Sequence, residues 1–301
     1  MSFAATLLEW YGRHGRSALP WRTAVDPYRT VVSEFMLQQT QVDRVIPLFE
    51  AFVAAWPDFA ALAVASRADV VRAWKGLGYN SRAVRLHQLA QAVCERHGGT
   101  LPLDEAALRE LPGVGPYTAR AIAAFAFGMG VAALDTNVRR IVQRTQFGIE
   151  WPRAATLAEI DTAAAALVPE GAGHAFNSAM MDLGSSICTT RAPKCLVCPL
   201  RPHCAAAPID PAGLAQLAKR HAKPAPSVRR RFEDTDRFVR GRIVDRLREL
   251  PPGDRISLLD LHAELEPLLV RRDMEALRTI ASALALEGIL DDAGDAYALK
   301  A

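Results

Sequence analysis

In LPGVGPYTARAI, residues 111–122, two glycines and two prolines lead into a run with helical periodicity. Gly113 and Gly115 permit a tight turn with exposed backbone N–H groups. Pro116, which needs no N–H donor, opens a helix whose positive end faces the same way. Such a turn is an anion site. Set between two helices it reads as a helix-hairpin-helix that grips a DNA phosphate, and the bland alternative is an ordinary Gly-rich turn.

Around this stretch almost every segment carries a helical period. In RVIPLFEAFVAAW, Val45, Leu48, Phe49, Phe52 and Val53 form one apolar stripe, and Gly/Pro clusters such as HGGTLPLD and VPEGAGH separate it from similar stripes. The 301 residues are 50% apolar, ample for a buried core, so a disordered or purely structural chain is excluded. No run approaches the roughly 20 apolar residues of a membrane span, and the N-terminal stretch lacks the pattern of a secretory signal. The expected location is therefore cytoplasmic, with no membrane partner. A formal charge of +3 permits a nucleic-acid partner without demanding one.

The tail has a different pattern. Helical patterns at DRFVRGRIVDRLREL, LLDLHAELE and RRDMEALRTIASALALEG precede ILDDAGDAYAL, two apolar runs about a Gly-containing turn. Three helices and a hairpin predict a small winged-helix-like α+β module over 234–301, a unit that binds DNA in some proteins and packs against protein in others. Before it, Lys219, Arg220, Lys223, Arg229, Arg230 and Arg231 occur without an acid, and Pro224 and Pro226 interrupt them. This composition predicts a basic, extended linker over 205–233, either touching phosphate or acting as a soluble hinge.

Residues 188–204, CTTRAPKCLVCPLRPHC, hold four of the five cysteines with spacing C-x6-C-x2-C-x5-C. Disulfides suit a cytoplasmic chain poorly, and structural zinc sites usually join two separate C-x2-C knuckles. Cys188, Cys195, Cys198 and Cys204 on one irregular loop, with Pro193, Pro199 and Pro202 preventing helix, favour a [4Fe-4S] cluster over zinc. Basic residues among them could also face a phosphate backbone. The fifth, Cys94, lies in a helical stripe and reads as a core thiol.

Two carboxylates stand out. Asp135 in ALDTNVRRI precedes a helix, where an N-cap is the bland reading. Glu34 in VSEFMLQQTQV lies among Val31, Val32, Phe35, Met36 and Leu37, where its charged form is disfavoured and a proton-donating acid results; the bland reading is a paired or capping Glu.

Taken together, LPWR, DPY, SEFMLQQTQV, GLGY, LPGVGPYTA, LDTNVRR, FNSAMMDLG and the four cysteines resemble the helix-hairpin-helix DNA glycosylases of the endonuclease III superfamily, and within it the MutY-type adenine glycosylases. The resemblance covers residues 19–204. It implies an all-α glycosylase fold over 1–204, a helical barrel domain plus an iron–sulfur cluster domain with its loop at 188–204. It further implies a monomeric enzyme acting on double-stranded DNA with a mismatched or oxidised base pair.

By the family pattern Glu34 protonates adenine as it leaves and Asp135 stabilises or traps the sugar cation. Tyr117 stands where strand-cleaving relatives carry a lysine, which implies a monofunctional glycosylase without strong lyase activity. Gln39, Thr40, Leu77 and Tyr79 match residues that wedge into the duplex, Trp21 and Arg22 match adenine-pocket residues, and Gly113, Gly115 and Asn137 complete the implied DNA contacts. Asn80 departs from the family's commoner aromatic pair. The tail is too short and too helical for the Nudix-like domain that ends typical MutY enzymes, and looks like the short tail of some actinobacterial relatives. Two other readings remain at this point: a thymine or uracil mismatch glycosylase, and a non-catalytic iron–sulfur DNA-binding protein.

Overall fold

The computed structural model describes residues 1–150, 155–222, 231–269 and 273–301. Its chain forms two compact units. One comprises Met1–Glu34, Leu101–Glu110 and Val114–Pro224; the other comprises Phe35–Thr100, Leu111–Gly113 and Ala225–Ala301.

The first unit is helical. Its longer helices are Phe3–His14, Pro116–Phe127, Thr136–Phe147, Leu157–Ala165 and Gly173–Ser186. Helical spacing gives apolar stripes, and four of these helices share one core: Val138, Ile141 and Val142 meet Phe176, Ala179, Met180 and Leu183, with Ile160 and Ala164 and, from the first helix, Phe3 and Leu7, while Ala121 and Phe125 of Pro116–Phe127 cluster with Ala133. Each fully buried side chain of this size stabilises the fold by about 1.5–3 kcal/mol. The cysteine loop follows Ser186 and contains only two short 3-10 turns, Cys195–Val197 and Arg201–His203, as its prolines require.

Beyond it the expected extended linker is corrected. Pro211–Arg220 is a helix, because Asp210 accepts from the N–H groups of Ala212 and Gly213, Pro211 opens the first turn, and Leu214 is buried. Lys223, Pro224, Pro226, Arg229 and Arg230 lie outside the described residues.

The second unit joins the helices Val42–Ala55, Arg67–Ala73 and Ser81–His97 to the C-terminal residues. Phe49, Phe52 and Trp74 are sealed in its core, with the Phe52 and Trp74 rings 6.0 Å apart. Leu48 is only partly covered, and Cys94 is half-buried rather than sealed.

The tail has the winged-helix-like order that its pattern predicts. Helices Asp236–Arg248, Leu258–Leu265 and Met274–Leu286 accompany β1 (Ile256–Ser257), β2 (Leu290–Asp292) and β3 (Ala296–Leu299). The strands form an antiparallel sheet in the order β1-β3-β2, with Leu290 opposite Leu299 and Asp292 opposite Tyr297. Alternation along β3 turns Tyr297 and Leu299 inward.

The division expected at residue 204 does not coincide with the two units, since the tail shares its unit with 35–100. Arg248 donates to the Val71 carbonyl at 3.0 and 2.9 Å, and Arg72 to the Leu250 carbonyl at 3.4 Å. Periodicity identifies an inward face and carries no information about which other face will cover it.

Candidate active site

Three sequence-predicted residues meet in the first unit. Glu34 is 9% exposed, and its carboxyl accepts from the Tyr117 hydroxyl. Burial pushes the Glu34 pKa up to about 7; the Tyr117 hydrogen bond opposes this, nearby Asp135 adds to it, and Arg22 opposes it. Tyr117 is half-buried against Ala121, Phe125 and Ala133, and burial beside the two carboxylates raises its hydroxyl well above the usual range.

Asp135 stands where its sequence position allowed an N-cap. It caps Thr136–Phe147, with Oδ1 accepting from the Val138 N–H at 2.7 Å, while Oδ2 accepts from Asn137 Nδ2 at 2.9 Å. Burial raises its pKa, and the donors from Val138 and Asn137 act against this. The Asn137 amide is used on both sides, because its Oδ1 accepts from Arg140 Nη2 at 2.8 Å. Both ends of this amide are thus hydrogen-bonded within the protein.

Asn177, which sequence reasoning did not single out, secures the loop leading to Asp135. Fully buried, it accepts from the Ala133 N–H at 2.8 Å and donates to the Val131 and Gly173 carbonyls at 2.8 and 2.7 Å. Gly184 is equally constrained by contact: a Cβ there would lie 2.5 Å from Asn137 Cβ.

Trp21 is buried and Arg22 pairs with Asp182, donating at 2.8 and 3.2 Å. Arg16 adds its backbone N–H and guanidinium to the same carboxylate. Burial would raise the Asp182 pKa, and the two arginines together hold it below the usual value. The Arg22 charge is therefore built into an ion pair beside the site. Its signal in the sequence was FNSAMMDLG, which contains both Asn177 and Asp182.

Arg140 and Arg144 lie one turn apart and bind the cysteine loop. Arg140 donates to the Cys188 carbonyl at 2.7 Å and to the Gly184 carbonyl at 2.7 Å. Arg144 reaches the Thr189 and Thr190 carbonyls at 2.8 and 3.0 Å and Cys188 Sγ at 3.4 Å. All four predicted cysteines line one cavity with Ile141, Leu183 and Leu200, and all are free thiols. Burial pushes the Cys198 thiol up to about 11. Among the described residues, no group of three His, Cys, Asp or Glu side chains is placed as a metal-ion site.

The predicted duplex-wedge residues belong to the second unit. Gln39 and Tyr79 are exposed and have left-handed backbones, φ 55° and 46°, an uncommon conformation for residues other than glycine. Buried Arg82 braces both turns, donating to the carbonyls of Phe35, Met36, Gln38, Leu77 and Gly78 at 2.6–3.0 Å and to Thr40 Oγ1 at 3.2 Å. Burial lowers its pKa to about 10. Nothing in the sequence distinguished this arginine from a surface one.

The four predicted wedge residues differ in exposure. Leu77 is buried and Thr40 is occupied by Arg82, so Gln39 and Tyr79 are the exposed members. Asn80, the departure from the aromatic pair, accepts from Arg248 Nη2 at 2.8 Å. At the hairpin, Gly113 has φ 78° and a Cβ there would meet the Phe35 ring at 2.9 Å. Gly115 has an extended backbone and open space around its missing side chain.

Known proteins resemble this chain in sequence and in fold. The family described as "HhH-GPD superfamily base excision DNA repair protein" matches residues 32–164. An adenine DNA glycosylase of Mycolicibacterium smegmatis is 43% identical over 275 residues, covering 90% of this chain and 89% of that protein. The Homo sapiens adenine DNA glycosylase is 39% identical over 215 residues, covering 68% of this chain and 39% of that protein. Among solved structures, a thermostable thymine-DNA glycosylase superposes with TM-score 0.63 at 31% identity, covering 68% of this chain and 94% of that one. A non-covalent endonuclease III–DNA complex gives TM-score 0.56 at 20% identity, covering 67% and 92%, a likeness of fold.

Proposed function

We propose a function from the premise that this chain belongs to the HhH-GPD superfamily of base excision DNA repair proteins, among its adenine DNA glycosylases: it removes adenine paired with 8-oxoguanine or guanine from double-stranded DNA by hydrolysing the N-glycosidic bond. The observation that carries this reading is a buried Glu34 with a pKa of about 7, bonded to Tyr117 and close to Asp135. A carboxyl with that pKa is substantially protonated near neutral pH and can donate to a ring nitrogen of the departing base. Asp135, steadied by Val138 and Asn137, stabilises the cationic sugar or traps it before water attacks. Burial raises both carboxyls, and they divide the work because the Val138 and Asn137 donors oppose it at Asp135 while Glu34 is carried up to about 7.

Tyr117 directs the Glu34 proton and has no amine. Schiff-base formation with the sugar is closed to it, so the enzyme acts as a monofunctional glycosylase. Gln39 and Tyr79, exposed on braced turns, are suited to fill the gap left by an extruded nucleotide, which offsets part of an unstacking cost of a few kcal/mol. The open space at Gly115 and the N-terminus of Pro116–Phe127 suit a DNA phosphate. We assign these roles to a single chain in solution.

The deciding experiment is single-turnover base release from duplexes carrying one A:8-oxoG, A:G, T:G or U:G pair. Release from the adenine duplexes alone is expected. Release from T:G or U:G instead would move the protein toward the activity named for its thymine-DNA glycosylase neighbour, and no release from any would leave the DNA-binding reading.

Four thiols around one cavity, joined by no disulfide and braced by Arg144, are a donor set that fits a [4Fe-4S] cluster. Cys188, Cys195, Cys198 and Cys204 would hold it. Such a group would cross-link loop 188–204 within itself, while Arg140 and Arg144 tie that loop to the Thr136–Phe147 helix, whose N-cap is Asp135. Purified protein is expected to be brown, with about four iron atoms per chain for a cubane cluster. Cys198→Ser should lower both iron content and melting temperature; a colourless, zinc-containing wild type would sink the assignment.

A further inference from the structure

Within the second unit, a groove of about 1030 Å³ lies between residues of the 35–100 segment and the C-terminal module. Its volume exceeds that of most small-molecule pockets and its sides are open. Six arginines line it against two acids, Asp245 and Glu287. Arg240 pairs with Glu287, and Arg242 and Arg248 pair with Asp245, so the acids are already engaged. Arg44 and Arg85 on one wall and Arg237 on the other have no ion pair among the described residues.

At the floor of this basic surface stands a stack. The Arg237 guanidinium lies 4.3 Å from the Tyr79 ring centroid and 5.8 Å from that of Phe232, and Phe232 is itself 53% exposed. Tyr79 is the residue that Arg82 braces in a left-handed conformation, and Gln39, the other such residue, lines the same groove.

From this we infer that the C-terminal module forms one wall of a DNA-binding groove beside Gln39 and Tyr79, with Arg237 as its principal contact to the sugar–phosphate strand. Guanidinium forks match phosphate oxygens, and arginine stacked on an aromatic ring is held ready to present that fork. Exposed aromatic rings interleaved with unpaired arginines also suit a strand with unstacked bases. The Asn80–Arg248 bond gives the arrangement its register: it ties the helix bearing Arg237 to the turn bearing Tyr79. The inference rests on the proposed glycosylase reading and extends it to the winged-helix-like tail.

The test measures binding of full-length protein to a duplex whose target adenosine carries a 2′-fluoro group, which resists cleavage, across a range of salt concentrations. Arg237→Glu is expected to weaken binding at least tenfold and to reduce the magnitude of the slope of log K against log salt by about one. Arg237→Lys should recover only part of the affinity lost in Arg237→Glu, since it keeps the charge and loses the fork and the stack on Tyr79. Arg255→Ala, on the same module outside the groove, should bind as wild type does. If Arg237→Glu fails to fold, Arg85→Glu on the opposite wall replaces it.

Wild-type affinity and slope in Arg237→Glu would overturn the inference, as would an equal loss in Arg255→Ala, which would point to diffuse charge. Adenine release by the wild type is measured in the same preparations. Release without an Arg237 effect removes the groove alone; an Arg237 effect without release removes the adenine reading alone.

Discussion

Glu34→Gln is expected to slow single-turnover release of adenine by at least about a hundredfold, the lower end of the usual contribution of a positioned general acid. Glutamine has nearly the same shape and can still accept from Tyr117, so loss of the proton is isolated from loss of packing. The pH profile supplies a stronger check. Glu34 must be protonated to act, and burial places its pKa at about 7. The wild-type rate should therefore be level just below that pH and fall about tenfold per unit above it. Asp135 must be ionised, and burial raises its pKa, so an acidic limb should appear above the ordinary aspartate range. A mutant rate within threefold of wild type, or an alkaline limb that persists in Glu34→Gln, would sink the assignment of the acid.

Asp135→Asn should lower the same rate by about 10²–10³, the range associated with removing a group aimed at developing charge. Asparagine caps helices about as well as aspartate, so its effect on stability should be small. Asp135→Ala loses the bond to the Val138 N–H as well and should cost about 0.5–2 kcal/mol of stability in addition. The pair of variants separates the two roles this residue has. If Asp135→Asn kept its rate, the residue would be a cap only. Measuring melting temperature beside base release distinguishes the cases.

Much of this was legible before any coordinates. Period and punctuation give the helices because an amphipathic stripe reports its own inward face, as in Val45, Phe49, Phe52 and Val53. The C-terminal hairpin was legible because alternation and a Gly turn are local signals. Glu34 stood out for its apolar neighbours, and Tyr117 and Asp135 through the resemblance of their motifs. Arg82 and Asn177 were not legible, since each acts on backbone carbonyls or amides from segments remote in sequence, and no local pattern encodes such a partner. The burial of Leu77 was not legible for a related reason, because an apolar residue in a Gly-flanked turn is equally consistent with a buried and a presented side chain. The helix Pro211–Arg220 was read as linker because its basic neighbours outweighed Asp210 and Pro211, a start signal that was present.

By itself, then, the sequence determined the helical class, the winged tail, the four-cysteine loop and the residue types of the site, because each depends on spacing along the chain. Only the tertiary structure decided that Glu34, Tyr117 and Asp135 share one environment, which burial and neighbouring charge tune to a pKa of about 7 for Glu34. It alone decided that Asn80 and Arg248 meet, and with them that the tail shares a groove with Tyr79. Desolvation and through-space partners depend on where distant segments pack, and that information is spread over the whole chain rather than written at any one position.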